Sequence, residues 1–228
     1  MDSISNKVLL VAGGLGLAFL MGRQIFSSAT PAKQSSVEKG NEILRKLFEF
    51  DGKGSGLTTI ALRDINDMSM EGALLFARGV FNDALDKFNS ALKLYPQNPR
   101  ACYGRAVCLH RLEKPEDALQ WFTKSISLDS TIAEAHHDKG VLLFQMKNYS
   151  DAIKSLDKAI ELNSTLILAY EIKGDCCQKF GLFGEAIKNY DKALELDPES
   201  TNVIQAKGDA YYQQGKMNEA LECYRAVL

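Results

Sequence analysis

The chain has 228 residues, and its 27 Lys and Arg against 29 Asp and Glu leave a formal net charge of −2 at pH 7. Hydrophobic residues make up 46% and charged residues 25%, which is typical of a folded domain and excludes a wholly disordered chain. The sequence lacks the excess of cations that a general nucleic-acid binder needs to neutralise phosphates, so we expect no nucleic acid partner.

Residues 8–22, VLLVAGGLGLAFLMG, form an uncharged stretch between Lys7 and Arg23. As a helix this stretch spans roughly 22 Å, less than the ~30 Å hydrocarbon core of a bilayer. Neighbouring apolar residues extend it to 4–26 if Lys7 and Arg23 place their charges at the two interfaces. We therefore predict a short single-pass membrane anchor within residues 1–26. A cleaved secretory signal and a buried helix of the fold are the alternatives.

Charges around this segment predict its orientation. Arg23, Lys33 and Lys39 follow it and Lys7 alone precedes it, so the positive-inside bias places the long C-terminal part in the cytosol. The segment resembles the signal anchors of mitochondrial outer-membrane proteins, and an endoplasmic-reticulum anchor is the alternative. Small residues at 14, 18 and 22 would also let two such helices pack closely, which allows a homodimer through the anchor.

The next segment, residues 27–64, is predicted to be a linker. Residues 27–41 are small and polar, as in flexible linkers. Within 42–50 the apolar residues fall on one helical face, which predicts a short amphipathic helix before the glycine-rich stretch 51–56.

From residue 65 onward the sequence repeats itself with a period of 34. One small residue recurs at Gly72, Ala106, Gly140, Gly174 and Gly208. A second recurs at Ala84, Ala118, Ala152, Ala186 and Ala220, and four positions later comes a large residue: Phe88, Phe122, Leu156, Tyr190 and Tyr224. Each period predicts two helices that approach closely where the small residues face each other. Because one pair cannot cover its own apolar faces, the pairs must stack.

This pattern resembles the tetratricopeptide repeat, in which Pro is common at the unit position of Pro96 and Pro198. The resemblance covers five units: 65–98, 99–132, 133–166, 167–200 and an incomplete 201–228. It implies an all-α fold, a TPR-type α-solenoid in which helix-turn-helix repeats form a right-handed superhelix. The predicted hydrophobic helix would precede this solenoid.

In this family the first helices of the repeats line a concave groove that holds a peptide or helix of a partner protein. The corresponding residues are Phe76, Arg100, Tyr103, Val107, His110, Arg111, His137, Val141, Phe144, Glu171, Asp175 and Asp209. An apolar strip with an acidic end suits an amphipathic helix or extended peptide that carries a cation. The alternative is that the aromatic side chains pack against one another or against the helix at 42–50.

Some members of this family hold the C-terminal carboxylate of heat-shock chaperones with Lys or Arg at unit position 5 and Asn at position 9. No unit here combines these residues, since position 9 is Ala73, Val107, Val141, Asp175 and Asp209. We therefore expect no chaperone-tail carboxylate clamp.

Residues suited to catalysis or metal binding are scarce. Cys108 and His110 are two positions apart, but a zinc site needs four convergent ligands. The five cysteines show no C-x-x-C spacing, which disfavours a disulfide framework and favours a reducing compartment. We predict no catalytic residues, no metal and no cofactor.

The sequence thus predicts a membrane-tethered scaffold, receptor or adaptor for other proteins rather than an enzyme. One alternative is the regulatory arm of a larger enzyme whose catalytic part lies outside this chain. Another is a luminal or secreted repeat protein after signal cleavage, in which Asn148 and Asn163 would be glycosylation acceptors.

Overall fold

The computed structural model describes residues 42, 48–49, 51–52 and 59–227. The predicted anchor, the homodimer contact within it and most of the predicted linker lie outside these residues. Within the described part of the chain, no helix combines the length and the apolar character that crossing a bilayer requires.

Residues 59–227 form ten α-helices, and no strand occurs among the described residues. The all-α prediction is therefore confirmed. The helices are α1 Thr59–Ala77, α2 Phe81–Leu94, α3 Pro99–Arg111, α4 Pro115–Leu128, α5 Ala133–Gln145, α6 Tyr149–Leu162, α7 Ile167–Lys179, α8 Phe183–Leu196, α9 Thr201–Gln213 and α10 Met217–Val227.

The first helix begins earlier than the repeat pattern suggests. The repeat pattern predicts that the first unit begins at residue 65, but α1 already starts at Thr59, inside the predicted linker. The added turn contains Ala61, Leu62 and Arg63, which are strong helix formers, and no glycine or proline interrupts it.

These helices fall into two compact units, one ending at Ala135 and the other beginning at His136, within α5. In the N-terminal unit α1 packs on α2, α2 on α3 and α3 on α4, and α1 also contacts α3. In the C-terminal unit α6, α7, α8, α9 and α10 pack in the same sequential way, and α7 also contacts α9. Stacked helical pairs of this kind bury apolar faces that no single pair could cover.

The small and large residues of each period meet as the spacing predicts. A Cβ built on Gly174 would lie 2.5 Å from Tyr190 Cε1, and one built on Gly208 would lie 2.7 Å from Tyr224 Cε1. Gly140 bears the same relation to Leu156 Cγ, at 2.7 Å. Real Cβ atoms do not approach other atoms so closely. These helices can therefore pack this closely only because glycine has no side chain.

Another repeated feature lies in the turn between the two helices of each repeat. A left-handed backbone conformation recurs every 34 residues, at Gly79, Glu113, Lys147, Gly181 and Gly215, with φ between 58° and 82°. Glycine adopts this conformation without cost, whereas a residue with a Cβ loses roughly 1 kcal/mol. The packing of the repeat therefore imposes the left-handed conformation even at Glu113 and Lys147, whose side chains disfavour it.

Candidate functional site

The N-terminal unit does not present the open aromatic groove that the sequence predicts. Phe76, Tyr103 and Val107 are buried, with exposed fractions of 1%, 0% and 6%. The prediction that these three residues are open to a partner is therefore corrected. The reason lies partly in Phe48, which is 1% exposed and whose ring centroid is 6.1 Å from that of Tyr103.

Phe48 comes from the stretch 42–50 and also packs 5.4 Å from Phe88. On its other side Tyr103 packs 6.1 Å from Phe122. The aromatic side chains thus contact one another and a residue of the preceding segment, which is the alternative that the sequence left open. At the edge, Arg100 and His110 are half-buried and Arg111 is exposed. Each of these three interacts within the chain.

In the C-terminal unit the predicted groove begins with a buried histidine. His137 is 3% exposed, with its Nδ1 2.8 Å from Asp138 Oδ1. Its burial corrects the expectation that it faces a partner. Val141 and Phe144 are half-buried, and the Phe144 ring packs 5.7 Å from Tyr149.

Three carboxylates follow on the next two first helices. We call Glu171 and Asp175 of α7, with Asp209 of α9, the acidic face. Glu171 and Asp175 are half-buried one helical turn apart, and Asp209 is exposed. The hydroxyl of Tyr190 donates to Asp175 Oδ1 at 2.7 Å, and the hydroxyl of Tyr224 donates to Asp209 Oδ1 at the same distance.

The two tyrosine–aspartate pairs are copies of each other, since both partners are displaced by 34 residues. Each hydroxyl reaches from a second helix to a carboxylate on the first helix of its own repeat. Tyr190 also lies 3.0 Å from Gln178 Oε1. These hydrogen bonds hold the carboxylates in a fixed position, because a tyrosine ring packed against glycine has little freedom to move.

Partial burial disfavours the charged form of two carboxylates of the acidic face, Glu171 and Asp175. It raises the pKa of Glu171, and the negative charge of Asp175 raises it further. Burial also raises the pKa of Asp175, although the Tyr190 hydrogen bond and Lys179 oppose that rise. Within the described part of the chain, no ion pair engages Glu171. The Tyr224 hydroxyl has a pKa raised to about 12, chiefly by its hydrogen bond to Asp209, so it remains a donor.

These pairs are not among the contacts predicted from the repeat, although the sequence carries a signal for them. Tyrosine occupies the large position of the period only at Tyr190 and Tyr224, and aspartate occupies position 9 only in the same two units. The first three units instead pair Phe88, Phe122 and Leu156 with Ala73, Val107 and Val141. A correlated change of both positions from apolar to polar indicates a hydrogen bond between them.

Other candidate chemistry has little structural basis among the described residues. All five cysteines are free thiols. Burial raises the pKa of Cys102 to about 11 and that of Cys108 to about 12, so both stay protonated at neutral pH. No cluster of three or more His, Cys, Asp or Glu side chains in residues 59–227 is arranged to hold a metal ion.

Comparison with known proteins identifies the repeat. Family models described as tetratricopeptide repeat match residues 69–131, 133–166 and 179–228. No curated protein matches the sequence.

Several solved structures share the fold. A crystal structure of a MamA protein is 26% identical with a TM-score of 0.67, covering 73% of this chain and 91% of that one. A second MamA structure is 28% identical with a TM-score of 0.65, covering 68% and 91%. YrrB, described as a TPR protein with an unusual peptide-binding site, is 22% identical with a TM-score of 0.64, covering 72% and 84%. At that identity the likeness to YrrB concerns the fold alone.

Proposed function

Because the chain belongs to the tetratricopeptide repeat family, we propose that it is a protein-interaction module, and that its acidic face binds a partner peptide or helix carrying a Lys or Arg. The observation that carries this proposal is the pair of half-buried carboxylates, Glu171 and Asp175, that lack a sufficient counter-charge within the described chain.

Burying a carboxylate without a cation costs free energy, because the ion loses part of its hydration. A cation supplied by a partner recovers that cost and gains Coulomb energy in an environment less polar than water. The protein has already fixed Asp175 through Tyr190, so the partner need not order that side chain on binding. The arrangement therefore favours a cationic ligand over a neutral one.

Apolar contacts adjoin the charges. Tyr212 lies one turn beyond Asp209 on α9 and is 53% exposed, which leaves its ring free to cover part of a ligand. An aromatic ring beside a carboxylate suits a side chain with an apolar stem and a charged end, as Lys and Arg have. The same charges disfavour a C-terminal carboxylate, in keeping with the expectation that this chain has no chaperone-tail clamp.

The test compares two labelled helical peptides, one carrying a single central lysine and one carrying glutamine there, titrated against the full-length chain by fluorescence anisotropy. We expect the lysine peptide to bind tighter, and the double variant Glu171→Gln with Asp175→Asn to weaken it at least tenfold. The matched control is Glu195→Gln, an acid of α8 in the same unit that is already ion-paired with Lys192 at 2.7 Å.

Equal binding of the two peptides would refute the proposal, as would a loss on Glu195→Gln as large as that on the double variant. Raising the salt concentration should weaken the lysine peptide more than the glutamine peptide, since the Debye length shortens from ~10 Å at 0.1 M.

We also propose that residues 4–26 tether this module to a membrane with the repeats in the cytosol. The support is the uncharged stretch 8–22 and the excess of Arg and Lys after it. Tagged protein in cells should resist extraction from membranes by alkaline carbonate, and its repeats should be digested by protease added outside intact organelles. Full release by carbonate, or glycan on Asn148, would contradict this topology.

A further inference from the structure

A second candidate site lies in the N-terminal unit, away from any groove residue that the sequence predicts. It is a cleft of about 420 Å³ between the second helices α2 and α4, with one residue of α3 at its base. We call it the basic cleft, and its charged and aromatic lining is Asp86, Lys93, Arg105, Trp121 and Lys124, with Asn89 beside them. Three cations thus face one carboxylate in a chain whose overall net charge is −2.

These three cations have no ion-pair partner among residues 59–227. The corresponding lysines of later repeats do have partners. Lys158 and Lys192, which occupy the repeat position of Lys124, pair with Glu161 at 2.9 Å and with Glu195 at 2.7 Å. The repeat therefore neutralises this lysine elsewhere and leaves it unneutralised at the cleft.

Trp121 contacts two of the three cations. The Arg105 guanidinium carbon lies 4.0 Å from the centre of the indole ring, and Lys124 Nζ lies 4.6 Å from it. Each cation is attracted by the electron-rich π system of the indole, which holds it at the cleft. The ring therefore restrains both side chains before an anion binds, which lowers the cost of ordering them.

Two fully buried polar atoms at the cleft have no hydrogen-bond partner in the described structure. Arg105 Nε is an unused donor and Asn89 Oδ1 is an unused acceptor. Leaving buried polar atoms unpaired costs free energy. These two atoms are covered by the protein itself, so a ligand in the cleft meets the charged side chains that line it: Lys93, Lys124, Arg105 and Asp86.

We propose that the basic cleft binds an acidic segment of a partner polypeptide, whose Asp or Glu side chains pair with Lys93, Arg105 and Lys124 while a backbone N–H donates to Asp86. A polypeptide supplies both the carboxylate and the donor. Inorganic phosphate supplies mainly acceptors, and the carboxylate of Asp86 on the cleft wall needs a donor. This site takes the opposite charge from the acidic face, so each proposal can fail without the other.

The test uses the single tryptophan of the chain, Trp121, as a reporter placed in the cleft itself. A blocked hexapeptide of alternating glutamate and glycine, without aromatic residues, is titrated into the full-length chain while Trp121 fluorescence is recorded. We expect a saturable change in emission. The same peptide with glutamine in place of glutamate should give no change at equal concentration.

Variants locate the binding. Lys124→Gln and Lys93→Gln should each weaken the glutamate peptide about fivefold or more, and Arg105→Gln should weaken it further. Lys158→Gln, the same repeat position in the next repeat, should change the affinity less than twofold. Urea midpoints of all four variants separate a loss of binding from a loss of folding, and the two surface lysines keep the test informative if Arg105→Gln unfolds.

Three outcomes would overturn the proposal: no saturable change with the glutamate peptide, an equal loss on Lys158→Gln, or an equal response to inorganic phosphate that the peptide cannot displace. The last outcome would identify a phosphate site instead. Saturable binding that needs Lys124 but not Lys158, and that exceeds the response to phosphate, would support it.

Discussion

The first two repeats and the last two repeats solve the same packing problem with different chemistry. Phe88 and Phe122 fill the large position in the first two, beside Ala73 and Val107, and all four residues are buried. Tyr190 and Tyr224 fill it in the last two, and each donates a hydrogen bond to an aspartate. The apolar version gains stability from burial alone, whereas the polar version at Asp175 holds a half-buried carboxylate whose charge costs stability.

This difference indicates that one helical scaffold can be used for a core or for a recognition surface. In the N-terminal unit Phe48 and Tyr103 close the space beside the aromatic side chains. In the C-terminal unit the carboxylates Glu171, Asp175 and Asp209 remain at least partly accessible. Substitutions that convert the apolar pair into the tyrosine–aspartate pair, or that compare equivalent positions of the two, test this difference.

The largest effect is expected from placing an aspartate in the apolar version. Val107→Asp should lower the free energy of unfolding by about 2–4 kcal/mol, because a buried carboxylate loses hydration and the valine contacts disappear. Adding Phe122→Tyr should recover about 1 kcal/mol by supplying the hydroxyl donor found at Tyr190. A double-mutant cycle followed by urea unfolding measures this coupling. If the two changes are simply additive, the pairing of these positions is not a hydrogen bond.

A smaller effect is expected at the small position facing each ring. Gly174→Ala should lower stability by about 2 kcal/mol, because its Cβ would lie 2.5 Å from a Tyr190 ring that hydrogen bonds hold in place. Gly72→Ala should be nearly neutral, since its Cβ would lie 3.1 Å from Phe88 and alanine favours the helix. Ala106 shows that this position accepts a methyl group in another repeat. Equal urea midpoints for the two variants would contradict the expectation that Tyr190 accommodates an added methyl group less well than Phe88 does.

The smallest effect concerns the pH dependence of stability. The pKa of Glu171 is raised in the folded state above its ordinary value of 4.5, so the folded chain binds this proton more tightly than the unfolded chain. The stability that Glu171 contributes by holding this proton is therefore fully present below pH 4.5. It is lost as the pH rises through the folded-state pKa of Glu171. Glu171→Gln should be more stable than wild type at pH 7, and the difference should vanish near pH 3.5.

Thermal unfolding at several pH values checks this sign, with Glu195→Gln as the comparison. That exposed acid is ion-paired with Lys192, so its removal should leave stability unchanged or slightly lower at pH 7. If Glu171→Gln is less stable than wild type at pH 7, the prediction is wrong, and the fold already compensates the charge of this carboxylate.

Much of the fold could be predicted because the structural repeat is visible in the sequence as residue types at fixed spacing. The period of 34, the paired helices and the contact between small and large residues all follow from residues that recur at fixed spacing. The turn was harder to predict. Gly79, Gly181 and Gly215 mark the left-handed position, but Glu113 and Lys147 occupy it in two repeats and hide its period.

The candidate site was predicted less well, since exposure depends on what else covers a surface. Tyr103 lies on the predicted groove face of α3, yet Phe48, distant in sequence, packs against it. The basic cleft is likewise invisible in the sequence, because Asn89, Arg105 and Trp121 come from three helices and meet only after these helices pack.

The sequence by itself determined the helices, their pairing and the close approach of glycine to aromatic rings, because these depend on side-chain size at regular spacing. Only the tertiary structure decided which faces stay open and which charges lack a partner. Burial and electrostatics depend on distances between segments far apart in the chain, and a repeat pattern does not encode these distances.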